Sequence, residues 1–376
     1  MDVPRKSETG QAFDRGAVDT RIPLYLVTGP ASRAKAALFQ RFTQRPKGGT
    51  VFALALMDQR SWNVASAHAA AISNTPNIVR TPLGDTCIDA GADPVDAINQ
   101  IHLRRLGLLS PSLAYDAVLF EVGQRIDTGA FAAVVQNDTR IDVTYRIAGI
   151  IHPVEIDDFP FRNNPGEMQR IGEADTIILT GVPDNDDGST TRAAAAISSL
   201  NPFASILTIE DFTHVRPWRL APGEFSAAAA ERLCHDQGMV TLPDIDDCIT
   251  AVANNFYNDP RSNETPDAPL RALRIHMRGE ADLMAFMQAV SELCAVHGAD
   301  TLRLSAVLNV RHAEHSVVVD VIGGTLLHPA YHSNTRRSDC DICILGRGLD
   351  VAQILEAFSW CRRERLVACK ELCAVM

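Results

Sequence analysis

The sequence predicts an α/β layered domain with a mostly parallel sheet, followed by a smaller α+β domain. Three observations carry this. Short aliphatic or β-branched runs alternate with helix-length amphipathic segments from Arg21 to about Asp211. The runs are apolar almost continuously rather than at every second residue, as strands covered on both faces are. Past Asp211 the composition shifts to Pro, Asn and Asp, and a second set of strands and helices begins beyond that stretch.

Residues 1–20 are polar and read as a flexible tail. In the first domain, 21–212, the strand runs are IPLYLV (22–27), TVFALALM (50–57), DAVLFEV (116–122), YRIAGIIHPV (145–154), DTIILTGV (175–182) and the shorter ASILTIE (204–210). Helices are expected at 33–44, 93–107, 164–173 and 188–200. Residues 213–271, closing on NFYNDPRSNETPDAPLR, read as an irregular connection. The second domain, 272–376, offers a strand (LRIHMRG), a helix (ADLMAFMQAVSELCAVHG) and two β runs (TLRLSAVLNV and HSVVVDVIGGTLLHP). DCDICILGRG and a terminal helix from Asp350 complete it, which implies antiparallel strands with helices on one face.

A length of 376 residues exceeds one ordinary core and fits two domains. The formal charge of -11 argues against a general nucleic-acid or anionic-membrane surface. Arg362, Arg363 and Arg365 cluster near the end and read as the solvated face of the last helix. No run approaches the ~18 apolar residues that span a bilayer, and the polar N-terminus lacks an apolar signal core. The expected compartment is the cytoplasm. Nine scattered cysteines, an odd number, do not form a secreted disulfide framework and are expected as reduced thiols.

The segment TGPASRAKAALFQRF (28–42) stands between a buried strand and an amphipathic helix, where a phosphate loop would stand. A working loop has the form G-x-x-x-x-G-K-[ST] and binds phosphate with backbone N–H groups, its Lys and a Mg²⁺-holding hydroxyl. Gly29 and Lys35 are retained here. Ala34 stands for the second Gly and Ala36 for the hydroxyl residue, and a methyl group is no metal ligand. Two readings stand: a strand-to-helix turn without a ligand, or weak anion binding through Gly29, Lys35 and the helix N-terminus.

With these residues in view, the chain resembles the CobW family, P-loop GTPases associated with metal-cofactor insertion and zinc homeostasis. The likeness runs from Arg21 to about Phe358. IPLYLVTGPASRAKAALFQRF resembles the family's strand, loop and first helix; DAVLFEV resembles the acid-ending strand, with Glu121 at the acid; ADTIILTGV and SSLNP resemble the guanine-recognition strand and its helix. TLRLSAVLNV, VVVDVIGG, His328-Pro329 and DICILGRGLD resemble the family's terminal domain. The resemblance implies GTP and zinc as cofactors, and a metalloenzyme client or an active paralogue as partner.

The functional motifs depart from the family's pattern. Its Gly-Cys-x-Cys-Cys is Gly84-Asp85-Thr86-Cys87-Ile88 here, leaving Cys87 as the one cysteine of that metal motif. Its Asn-Lys-x-Asp is Thr180-Gly181-Val182-Pro183, with Asp184 one place too late to read guanine. The expectation is a degenerate, non-hydrolysing member acting as an accessory or scaffold protein, with Gly29, Lys35 and Glu121 as vestiges of a nucleotide site. Glu121 reads equally as a former metal-side acid or as a cap on the next turn. The alternative is a divergent GTP-binding metallochaperone that takes its metal ligand from Glu121 or Ser32.

A further alternative is a zinc carrier. Cys340-x-x-Cys343 has the spacing of a zinc half-site, and His312, His315, His328 and His332 lie nearby. Against it, Cys343 falls on an apolar strand, and the two later histidines straddle a Pro. Cys361, Cys369 and Cys373 suggest a buried or partner-facing helical stripe. The acidic run Asp184–Gly188 matches no calcium loop and reads as a solvated turn.

Overall fold

In the computed structural model the described residues are 20–29, 32–43, 51–56, 78–80, 94–110, 112, 114–123, 126–156, 165–182, 188–212, 249–256, 270–298, 300–331 and 337–361. Seven strands form the first sheet: β1 (Ile22–Val27), β2 (Phe52–Leu56), β3 (Ile78–Arg80), β4 (Ala117–Glu121), β5 (Tyr145–Glu155), β6 (Thr176–Thr180) and β7 (Ser205–Thr208). Their order is β3-β2-β4-β1-β5-β6-β7 and every pairing is parallel. β1 is therefore central, flanked by β4 and β5.

The continuous apolar runs have the cause expected of them. Leu24 and Leu26 point into one core, with α2 (Pro94–Arg105), α3 (Thr128–Asn137) and α5 (Pro165–Glu173) packed over it. Tyr25 and Val27 point into a second core, covered by Leu38 and Phe39 of α1 (Arg33–Thr43). A short α4 (Thr139–Asp142) follows α3, α6 (Ser189–Leu200) contributes Ile197 and Leu200, and α7 (Ile209–Phe212) ends the domain.

The second sheet has the order β12-β11-β10-β14-β9-β8, with β13 on β11, and its pairings are antiparallel. Its strands are β8 (Ile249–Phe256), β9 (Leu270–Arg278), β10 (Thr301–Leu308), β11 (Val317–Ile322), β12 (Thr325–Leu326), β13 (Ala330–Tyr331) and β14 (Asp339–Arg347). One face buries α8 (Leu283–His297) and α9 (Val351–Ser359), with Phe286 stacked on Phe358 at 5.0 Å. Asp282 and Asp350 cap these helices through backbone N–H groups, so each stops the preceding strand connection where the sequence expects.

Four elements differ from the sequence reading. β8 lies inside 213–271, which reads as irregular, and pairs with β9 along its whole length. The helix pair α3 and α4 and the short β3 were also not expected. Each of the two helices starts at an aspartate cap, Asp127 and Asp138. Among the described residues no helix is long and apolar enough to cross a membrane.

The domains meet through close packing and charge. Gly129 lies so near the carbonyls of Ile322 and Gly323 that a Cβ there would stand 2.6 Å from the first. Gln136 bonds Leu326 O and His328 N, and Asp142 pairs with His328 at 3.1 Å. Deeper in, Arg303 of β10 donates to Asp175 at 2.9 and 2.7 Å and pairs with Asp320 at 3.0 Å.

Candidate functional site

Ligands of open α/β sheets sit beyond the carboxyl ends of the strands, and here the ends of β1, β4 and β5 gather the retained residues. Thr28 N donates to Ile151 O and Val122 N to Val27 O, which ties the three strand ends together. Gly29 follows at φ +103°, a conformation that a side chain disfavours. A Cβ at this position would also stand 3.0 Å from His152 Cε1. Position 29 therefore needs glycine twice over.

Lys35 turns inward. Its Nζ donates to Gly29 O at 2.6 Å and to Val122 O at 3.3 Å, and lies 3.5 Å from Glu121 Oε1. The side chains are 2% and 0% exposed, so this is a buried ion pair whose ammonium is held by the Gly29 carbonyl of its own loop and the Val122 carbonyl just past β4. Ser32 Oγ accepts from Lys35 N at 3.2 Å, the bond of a helix N-cap. Ala34 and Ala36 are buried in the packing beneath α1. The candidate residues Gly29, Lys35 and Glu121 thus come together, and they bind one another.

A second layer supports the loop from below. His152 of β5 is fully buried, with Nδ1 3.1 Å from Thr28 Oγ1 and Nε2 2.9 Å from Glu167 Oε1 of α5. Burial pushes the Glu167 carboxyl upward. The His152 hydrogen bond and charge, with Arg170 and Lys35 behind them, outweigh burial and hold it below the ordinary glutamate value. A depressed carboxylate stabilises the fold above its unfolded value and loses that contribution as pH falls through the folded one. Stability from this contact should therefore be complete above about pH 4.3 and decline on further acidification. Urea denaturation between about pH 6 and about pH 3 should show a steeper loss for the native chain than for Glu167→Gln. Parallel curves would remove Glu167 as a contributor. Sequence reading missed this pair; its signal was the His-Pro step inside the otherwise apolar run YRIAGIIHPV.

At the end of β6, Thr180 Oγ1 donates to Val154 O at 3.2 Å, so its hydroxyl is turned into the sheet. Gly181 follows at φ +70° beside Glu155. Cys87 and its Gly84–Ile88 segment lie outside the described residues, as do Pro183, Asp184, His332, Arg362, Arg363, Arg365, Cys369 and Cys373.

The Cys340–Cys343 spacing does not make a half-site in this fold. Both lie on β14, where residues three apart point to opposite faces. Cys340 packs toward α8 and α9 and accepts from Asn309 N at 3.2 Å. Cys343 is buried on the other side. Burial pushes the Cys340 thiol up to about 11 and that of Cys343 well above its usual value, which opposes the thiolate a metal needs. His312 and His315 lie in the turn between β10 and β11, and His328 pairs with Asp142. Among the described residues no three His, Cys, Asp or Glu side chains gather as a metal site. Cys361 is buried at the end of α9, its thiol pushed up to about 12 chiefly by burial.

Residues 270–362 match the family model described as the cobalamin synthesis protein cobW C-terminal domain. No curated protein matches the chain. Among solved structures, a Zn(II)-bound triple mutant of YjiA GTPase aligns with TM-score 0.52 and 12% identity, over 91% of this chain and 99% of that one. The Zn(II)-bound YjiA GTPase from E. coli aligns at 0.48 and 13%, over 91% and 99%. The hydrogenase maturation factor HypB from Archaeoglobus fulgidus aligns at 0.30 and 13%, over 57% and 89%. At such identities the first likeness concerns fold and not activity. Residues 270–362 are therefore a CobW C-terminal domain, joined to a parallel-sheet domain in the two-part fold that the YjiA GTPase mutant also has.

Proposed function

We propose that this chain acts by binding, in metal homeostasis or metallocofactor insertion, as a non-hydrolysing accessory or scaffold protein for a metalloenzyme client or an active paralogue. The observation that carries the reading is Lys35: its ammonium is bonded into the loop at Gly29 O and paired with buried Glu121. A phosphate would have to draw it out of that cradle.

The residues do not fit a magnesium nucleotide bound in the usual way. Ala36 brings a buried methyl where the Mg²⁺ hydroxyl belongs, Ser32 is engaged as a helix cap, and Glu121 is neutralised by Lys35. The Thr180 hydroxyl, at the position of the guanine reader, is bonded to the sheet. A zinc carrier through Cys340 and Cys343 is not favoured either, because those thiols face opposite sides of β14. The association with metal handling is supported by the match of residues 270–362 to the CobW C-terminal domain, and by a fold shared with a Zn(II)-bound GTPase mutant.

Retention of Gly29 in its left-handed conformation and of Lys35 favours a second reading, weak anion or nucleotide binding without magnesium. Titration of the purified full chain with labelled GTP, GDP and ATP, with and without Mg²⁺, separates the two. The first reading expects no magnesium-dependent binding in the micromolar range. Weak binding insensitive to Mg²⁺ would select the second, and tight Mg²⁺-dependent GTP binding would overturn both.

A further inference from the structure

Helix α5 touches the loop at one end and the CobW C-terminal domain at the other. Its first turn carries Glu167, which holds His152 against Thr28 and beneath Gly29. Its last turn carries Gly172, packed so closely on β10 that a Cβ would stand 2.7 Å from Leu302 Cδ1. Asp175 follows directly: its Oδ1 accepts two bonds from Arg303, while Oδ2 accepts from Ile150 N at 2.8 Å. Ile150 is two residues before His152 on β5, so strand and helix are joined at both ends of the contact.

This helix has little room to absorb a shift. Asn201 Nδ2 donates to the carbonyls of Ile171, Gly172 and Ala174, and its Oδ1 accepts from Phe203 N and Ala204 N. Phe203 packs on Leu270, Ala272, Leu302 and Leu345 of the second sheet. Arg303 continues the chain of contacts to Val321 O and Asp320 of β11. Close-packed contacts transmit displacement rather than yielding locally.

We infer that α5 couples the state of the Gly29–Lys35 loop to β10 and β11 of the C-terminal domain, with His152 and Glu167 as positioning residues at one end and Asp175 and Arg303 at the other. Movement of Thr28 and Gly29 displaces His152, His152 carries Glu167, and the helix shifts against Leu302 and Arg303. The coupling is reciprocal, so a change at Arg303 alters the loop. The C-terminal domain thereby reports whether the loop holds an anion. The inference rests on the second reading above, weak anion binding by the loop, and concerns regulation of that same site.

Hydrogen exchange on the full chain tests it without any nucleotide, so its outcome is independent of the titration above. In Glu167→Gln, exchange across Thr301–Ile322 should quicken by about tenfold or more relative to the native chain, while α8 stays unchanged. Arg303→Lys should in turn quicken exchange in residues 145–156 and in α1. Ala195→Gln, an exposed change on the neighbouring helix α6, should do neither. If Glu167→Gln folds poorly, His152→Asn supplies the same perturbation from the strand side. A response confined to the first domain would overturn the coupling. So would a uniform rise that includes α8, which is what a general loss of stability produces.

Discussion

Replacement of Arg303 by methionine should destabilise the chain by about 3–5 kcal/mol, the range for removing one partner of a buried ion pair. Arg303 is 7% exposed and holds Asp175, 17% exposed, and Asp320, 9% exposed. Without the guanidinium, two carboxylates face each other in a poorly hydrated interface and Val321 O loses a donor. Burial already pushes the Asp320 carboxyl up, against the pull of Arg303. In the variant that pull is gone, so the folded state takes up protons more readily than the unfolded one. Stability of the variant therefore recovers as pH falls. Urea denaturation should show a larger deficit at about pH 8 than at about pH 5. A deficit below about 1 kcal/mol at both would assign the triad the small value of a surface pair.

Lys35→Met should cost a similar amount, about 3–5 kcal/mol, because Glu121 would be left buried without its counter-charge. The carbonyls of Gly29 and Val122 lose their donor in the same change. The double variant Lys35→Met, Glu121→Gln should recover much of the loss, since the isolated charge is then gone. Additive losses in denaturation midpoints would show instead that the two residues act separately. A lysine kept only to meet a ligand would leave stability nearly unchanged when removed. The prediction thus separates a residue that holds its own loop from one that awaits a phosphate.

Much of the frame was legible in the sequence because its strands are buried on both sides. IPLYLV, DAVLFEV and DTIILTGV need apolar residues at nearly every position, and such runs stand out. β8 did not stand out: ITAVANNF carries Asn254 and Asn255 just before its last residue, inside a Pro- and Asp-rich stretch, and only its partner β9 defines it as a strand. α3 was passed over although Asp127 bonds Ala130 N, a cap that the spacing DTGA already offered.

The site was legible in part. Gly29, Lys35 and Glu121 were foreseen as one place, but not that they would be satisfied by each other. That depends on the strand ends meeting, which sequence order does not give. His152 was hidden by the apolar run around it, and Glu167 by an ordinary helix. The reading of Cys340 and Cys343 as a half-site failed on strand periodicity: three residues along a strand reverse the face.

Turnover of GTP decides whether the Gly29 and Lys35 site is a working or a self-bonded one. With the full chain at substrate-level concentration and excess Mg²⁺, release of inorganic phosphate should match the protein-free control, and Lys35→Met should leave it unchanged. Magnesium-dependent phosphate release above that control, abolished by Lys35→Met in a folded protein, would contradict the account and make the loop a working GTPase site.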